Sequence, residues 1–386
     1  MNVTRRCLVG VTVACAALAV AAPGSPPATA AEPESAEIAL AWQETALATV
    51  PFTPAQALFL SFTSTAVDRA ARRSLNRAES SEAAAVAQAA HDVLLEYFPA
   101  AAAGLDAKLA ESLAAIPDGT AEDRGTAIGA DAAAAVIADR ADDGRGDPSV
   151  VYGAEPGIGV WTDSRPFAAP WYGFVDRVDG GRPVPVDGPD PVGSPAYRAD
   201  LAEVQADGSG ADPAKAATAT FFNVPAFALY RTALIGHLRA HPVGLAATTD
   251  LFADLDRATA EGMRQTWRHK FTVGFWRPTA AITSDDGDPL TAADPLWSAF
   301  LPVPPYPDWP SGHGTLTGAF AETLRCHLGD VPLTLQGGGG GSRTYGSLAA
   351  LEQDAFMSRI WGGIHFRDAM DDAYLIGHTV ARWACR

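Results

Sequence analysis

Small and apolar residues recur along most of this chain at helical spacing, with few breaks. The stretches 36–49, 54–76, 80–98 and 102–116 are rich in Ala and Leu, and each predicts a helix. In the third, Val86, Ala90, Val93 and Tyr97 share roughly one face; Ser80-Ser81-Glu82 offers an N-terminal cap and Pro99 stops the run. Residues 120–141 predict a further helix that ends at an Asp-Asp-Gly-Arg-Gly turn. From 143 to 215 proline and glycine are dense and no period is sustained, yet Trp161, Trp171, Tyr172 and Phe174 punctuate the segment. It is expected to be irregular and attached to the helices by these aromatics. Helical spacing resumes over 216–240, 246–271, 312–328, 346–361 and 365–384. The glycine run between Gln336 and Ser342 reads as a flexible surface loop, since it lacks the strand and Lys-Ser/Thr context of a phosphate-binding P-loop. No series of strands is evident. The expected fold class is mainly α, a helical bundle with long irregular loops.

The N-terminus has a different pattern. Arg5 and Arg6 precede an apolar run from Leu8 to Ala22, and Ala28-Thr29-Ala30 has the form of a cleavage site. Residues 1–30 therefore read as a secretory signal peptide, served by either the general or the twin-arginine export route. The remainder, 31–386, is expected to be one all-α catalytic domain. Its first part, 31–215, is helical and looped, and 216–386 carries the candidate chemistry. The apolar run is shorter than the ~20 residues of a membrane span, so the mature chain is expected to be free of the membrane and secreted.

Charge narrows the partners. The formal net charge is −17, and it becomes more negative once the leader's two arginines are removed. Such a chain will not bind nucleic acid nonspecifically. Clustered Lys and Arg within it therefore need a local explanation. Of four cysteines, Cys326 and Cys385 lie outside the leader, and an even pair in an exported chain predicts a disulfide.

Three C-terminal segments supply such a cluster. Lys270 and Arg277 are seven residues apart, close to two helical turns, so both can project from one face; Pro278 places Arg277 at the helix exit. Pro310-Ser311-Gly312-His313 precedes a helical run. Ser311 can cap it, and the free amides at its start favour an anion. Gly312 permits close approach, and His313 can exchange a proton near neutral pH. In Ser358-Arg359-Ile360-Trp361-Gly362-Gly363-Ile364-His365, Arg359 offers a bidentate fork and the glycine pair can end one helix before His365 begins the next. Singly, each segment also reads as surface charge, plain capping or a satisfied core pair. Jointly they supply what grips a tetrahedral oxyanion.

Their order and form, K-x6-R-P, P-S-G-H and S-R-x5-H, resemble the signature of the vanadium-dependent haloperoxidase and type 2 phosphatidic acid phosphatase superfamily. The gaps also fit: 31 residues separate Pro278 from Pro310 and 44 separate His313 from Ser358. Phe275-Trp276-Arg277-Pro278, Pro305-Tyr306-Pro307-Asp308-Trp309-Pro310 and Gly362-Gly363-Ile364-His365-Phe366-Arg367 are most similar to the bacterial chloroperoxidase-like branch. That resemblance implies a vanadate cofactor, with phosphate as a competing occupant. It implies that His365 ligates the metal and that His313 is the acid–base residue. Lys270, Arg277, Arg359, Ser311 and the Gly312 amide would hold the oxygens, and Lys270 would also polarise peroxide. The implied partners are hydrogen peroxide, a halide and an organic small molecule, and a homodimer is common among such relatives. Two departures stand out. The family aspartate four residues after the second histidine is Ala369 here, leaving Asp368 and Asp372 as the expected imidazole-orienting carboxylates. Tyr306 stands where the family varies with halide preference, and Asp308 beside it faces either the halide path or solvent. Glu261 and Asp256 are further expected partners for the arginines. The same oxyanion cage would also serve an acid phosphatase with a phospho-histidine at His365, or a non-catalytic oxyanion-binding member.

Overall fold

A computed structural model of the chain describes residues 32–178 and 181–385. The expected leader, residues 1–30, lies outside the described residues. Among the described residues thirteen α-helices carry the fold: α1 (Glu32–Thr49), α2 (Gln56–Leu75), α3 (Glu82–Tyr97), α4 (Ala102–Ala114), α5 (Thr120–Asp139), α6 (Pro195–Asp207), α7 (Pro213–Phe222), α8 (Ala226–Ala240), α9 (Leu245–Val273), α10 (Pro278–Thr283), α11 (Gly312–Leu328), α12 (Leu348–Trp361) and α13 (Arg367–Ala384). The protein is mainly α, as its periodicity predicts. No described helix is long and apolar enough to cross a membrane.

The helix α9 organises the rest. At 29 residues it is about 44 Å long, and burial runs around its whole circumference. Toward its N-terminus it packs on α1 and α2, which α3 and α5 complete into one bundle; toward its C-terminus it packs on α11 and α13 of a second. Polar residues on so buried a helix must find partners. Asp256 pairs with Arg231 of α8 and accepts from Ser64 of α2, while Arg231 also reaches Gln43 of α1. Glu261 holds Arg264 at 2.6 Å and Gln265 at 2.9 Å. Both carboxylates thus bind arginines, but not those of the three candidate segments. They face the bundle interiors before the helix reaches Lys270.

Small residues bring α11 and α13 close together. A Cβ on Gly377 would lie 2.3 Å from the Thr315 carbonyl oxygen, and one on Gly314 would lie 2.8 Å from the Ala373 methyl. This contact fixes the helix that starts at Gly312 against the helix that follows His365.

Several boundaries differ from expectation for local reasons. The predicted helix 216–240 is two helices, α7 and α8, because Pro225 removes a backbone donor and disfavours helical geometry at Val224. Inside the irregular segment lies α6. Ser194 caps it by accepting from the Tyr197 amide at 3.1 Å, Pro195 occupies its first turn, and Tyr197, Leu201 and Val204 bury one face. The short α10 behind Arg277 also lies outside the predicted helices. The glycine run is the turn of a hairpin, β1 (Leu333–Gln336) antiparallel to β2 (Ser342–Tyr345). It is packed rather than free: a Cβ on Gly338 would stand 2.2 Å from the Thr220 carbonyl oxygen. The irregular segment does lie over α9, where Tyr152 and Phe167 meet Phe271 and Trp161 meets them both.

Gly377→Ala should force α13 away from α11 and cost about 1–3 kcal/mol, the usual cost of overpacking. A denaturant midpoint unchanged from the parent would show that the two helices can separate freely.

Candidate active site

Each cation is positioned by its element's end. Lys270 lies in the last turn of α9, which stops at Gly274 in the left-handed conformation, φ 65°. The chain then runs extended. The Trp161 amide donates to the Gly274 carbonyl at 2.7 Å and the Trp276 amide to that of Gly159 at 3.0 Å, a short antiparallel pairing with the overlying strap. It delivers Arg277, which precedes α10 with Pro278 in the first turn, at the helix exit as expected.

Both side chains then meet one stretch, Tyr306–Asp308. Lys270 Nζ donates to the carbonyls of Pro307 at 2.6 Å and Asp308 at 2.8 Å. Arg277 Nε donates to the Tyr306 carbonyl at 2.9 Å and Nη1 to that of Ile364 at 2.7 Å. The Tyr306 ring lies 5.1 Å from each cation. Ser311 caps α11 by accepting from the Gly314 amide at 3.3 Å. A Cβ on Gly312 would stand 3.0 Å from the Trp267 ring, so that position admits little beyond glycine. Arg359 occupies the last turn of α12. Gly363, at φ 75°, then reverses the chain to present His365 just ahead of α13; a Cβ there would meet the Gly208 carbonyl oxygen at 2.4 Å.

Lys270 and Ser311 are wholly buried, and Arg277, Arg359 and His365 nearly so. His313 remains partly open to a cavity of about 440 Å³ that Gly312, Arg359 and His365 also line. Trp267, Tyr306, Met263 and Phe227 give this cavity an apolar wall.

Electrostatics show what the arrangement lacks. Burial, then the neighbouring Arg277, holds the Lys270 pKa well below its ordinary value. Burial lowers that of Arg359 to about 10. Burial keeps both imidazoles well below the usual histidine range, reinforced by Arg359 at His313 and by Arg277 at His365. Three buried donors, Arg277 Nη2 and Arg359 Nε and Nη1, and the ring nitrogen Nε2 of His313 have no hydrogen-bond partner. Desolvated cations that repel one another and carry unused donors fit an anion with several oxygens. The cage thus gathers all seven predicted residues: Lys270, Arg277, Ser311, Gly312, His313, Arg359 and His365.

The expected orienting carboxylates are not at His365. Asp372 accepts from Trp309 Nε1 at 3.0 Å. Asp368 accepts from the Asp190 amide at 3.2 Å, and its own amide donates to Asp200 at 2.8 Å. Their places on the first turns of α13 turn them toward the 187–200 segment. The carboxylate beside the imidazole is Asp308, with Oδ1 2.8 Å from Nδ1 of His365 and 3.5 Å from Arg277 Nη1. It is wholly buried, so it faces neither solvent nor an open halide path. Its place three residues before Ser311 was the available signal in the sequence.

The expected disulfide is also absent: Cys326 and Cys385 are free thiols. The ends of α11 and α13 bring them into contact without a bond, and burial with that contact pushes the Cys385 thiol well up. Cys385 instead clusters with Asp254 and His327, whose Nε2 is 2.9 Å from Asp254.

Residues 250–386 match the family described as the VCPO second helical-bundle domain. A vanadium chloroperoxidase from Curvularia inaequalis is 35% identical over 85 residues, 19% of this chain and 14% of that protein. Over its C-terminal bundle, residues 250–386, the chain belongs to the vanadium haloperoxidase-like family. Its fold extends the likeness beyond the matched bundle. A bacterial vanadium-dependent iodoperoxidase superposes with a TM-score of 0.72 at 17% identity, over 93% of this chain and 97% of that one. An apo-type bacterial vanadium-dependent chloroperoxidase gives 0.66 at 15% identity, over 87% and 95%. The curated relative is matched over only a small fraction of its length, and the solved structures are alike in fold.

The acidic face beside the site generates a pH prediction. Burial, assisted by neighbouring carboxylates, raises Asp368 to about 7 and Asp372 to about 6. Groups raised on folding contribute stability at low pH and lose it as pH rises through the folded value. Asp368→Asn should therefore melt higher than the parent at pH 8, with the gap closing as pH falls from about 7 toward 4. An equal gap at all pH values would refute the assignment.

Proposed function

We propose that this protein is a vanadium-dependent haloperoxidase, which uses hydrogen peroxide to oxidise a halide for halogenation of an organic small molecule. The observation that carries the proposal is an apolar-walled cavity lined by Arg359, His313 and His365, on which Arg359 Nε and Nη1 and His313 Nε2 have no hydrogen-bond partner, with the unpartnered Arg277 Nη2 beside His365. That set fits a tetrahedral vanadate. Lys270, Arg277 and Arg359 would balance its charge, Ser311 and the Gly312 amide would donate to its oxygens, and His365 would be its protein ligand. When bound, vanadate supplies Lewis acidity toward peroxide.

The chain's own residues do the rest. His313, held neutral by burial and Arg359, is ready to take a proton from incoming peroxide and to return it to the departing oxygen. Lys270 keeps its ammonium fixed by two carbonyls, a donor preorganised for charge that develops on oxygen. In the net reaction halide loses two electrons, the O–O bond breaks, one proton is consumed, and hypohalous acid and water form. The apolar wall limits bulk water at the point of oxidation.

Purified protein loaded with orthovanadate should halogenate a phenolic dye precursor in the presence of peroxide and at least one of chloride, bromide and iodide, assayed separately. His365→Ala should reduce this to background. Phosphate-ester hydrolysis by the vanadate-free protein, lost in the same variant and with no halogenation, would identify a phosphatase instead. Neither activity, with vanadate still bound, would identify an oxyanion-binding member.

Residues 1–30 support export as part of this reading. Protein recovered from the culture medium of an expressing host should begin at Ala31. Retention of the whole chain inside the cell would exclude it.

A further inference from the structure

We propose that Asp308 is the positioning residue for the His365 imidazole, a carboxylate supplied from the segment before Ser311 in place of one on the helix after the histidine. The inference rests on the reading of His365 as the centre's protein ligand. It concerns how this chain meets a requirement that its sequence leaves open at Ala369.

Four observations carry it. The first is proximity: Asp308 Oδ1 lies 2.8 Å from Nδ1 of His365. A carboxylate on Nδ1 selects the tautomer that leaves Nε2 free to ligate. The second is a missing partner. Both Asp308 oxygens are buried without an aligned donor. At that distance the contact is one between the Asp308 side chain and a ring N–H. Arg277 Nη1 lies 3.4 Å from Nδ1 and 3.2 Å from Nε2 in this orientation, and such hydrogen bonds are commonly misaligned before a ligand binds.

The third observation is fixation. Lys270 grips the Asp308 carbonyl at 2.8 Å, and the Asp308 amide donates to the Phe275 carbonyl at 2.9 Å. The carboxylate's place is therefore set by the same lysine that serves the cage. The fourth is shared space. Asp308 and Ala369 line one small void of about 10 Å³. Ala369 is almost wholly buried, and its carbonyl accepts from the Ser311 amide at 2.8 Å. An aspartate at 369 would direct a further carboxylate into this void, which Asp190, Asp200 and Asp368 already line with Asp308, and buried like charges repel. One acid serves the imidazole, and alanine at 369 makes room for it. Asp368 and Asp372 are engaged with Asp190, Asp200 and Trp309, so neither competes for the ring.

Asp308 could instead act only as a counter-charge to Arg277 and Lys270, and the experiment separates the two roles. The ring-nitrogen shifts of His365 would be recorded by ¹⁵N NMR on the vanadate-free, ¹⁵N-histidine-labelled protein, with His365→Ala to assign the signal. Orthovanadate affinity would be measured by equilibrium dialysis. The parent should show a single Nδ1–H tautomer. Asp308→Ala should lose that preference and bind vanadate 10–100-fold more weakly, the usual effect of removing an outer carboxylate from a ligating histidine. Asp308→Ala with Ala369→Asp should recover both. If Asp308→Ala does not fold, Asp308→Leu and its combination with Ala369→Asp carry the same two readings, with no acceptor left at 308. An unchanged tautomer with weakened affinity would reduce Asp308 to a counter-charge, and an unchanged tautomer and affinity would remove it from the site. The tautomer is read without any reaction. Failure to halogenate would therefore overturn the proposed function and leave this inference standing, and a mixed tautomer in the parent would do the reverse.

Discussion

Three cations are held out of water around one space, and their own repulsion is not neutralised there. Lys270 and Arg277 sit among carbonyls and an aromatic face rather than carboxylates, apart from Asp308, and Arg359 keeps two nitrogens unpartnered. A buried charge is costly unless it is partnered. Other buried arginines here, such as Arg231, have an acid in direct contact. The site arginines keep unused donors instead. The fold sustains this because every element around the space ends there, and element ends supply carbonyls and amides that can meet a charge without cancelling it.

That arrangement needs rigid delivery. The helix α9 belongs to both bundles, so the end that carries Lys270 is anchored along its whole length. Close packing at Gly314 and Gly377 joins the helix that begins at Gly312 to the one that follows His365. The strap over α9 pairs with residues 274–276 and so places Arg277. The 306–308 stretch then ties these parts together. Its carbonyls bind two cations, its tyrosine ring lies beneath both, and its aspartate faces the histidine.

Tyr306, Trp309 and the prolines of 304–310 acquire meaning in this light. They hold a short segment in one conformation against Trp267, His269 and the cage. The cavity that reaches the two histidines is walled by the same segment and by the start of α8. One loop therefore shapes both the electrostatics of the centre and the entry to it.

Much of this was legible in the residues. Helical spacing revealed the α class and most of the helices, because long amphipathic stretches carry their period in sequence. The seven cage residues were legible only jointly, from the order and spacing of three segments that resemble a family signature; each segment alone also reads as surface charge, plain capping or a core pair. What escaped depended on distance along the chain. The helix α6 was masked by surrounding proline and glycine, although Ser194-Pro195 marked its start. The disulfide was inferred from parity, which says nothing about whether two adjacent thiols are joined. Asp368 and Asp372 were chosen by helical proximity to His365, yet the acid that reaches the ring is 57 residues upstream. Sequence spacing reports neighbours on one helix. Only packing decides which side chain from another segment occupies the space beside a buried imidazole, and here Ala369 left that space to Asp308.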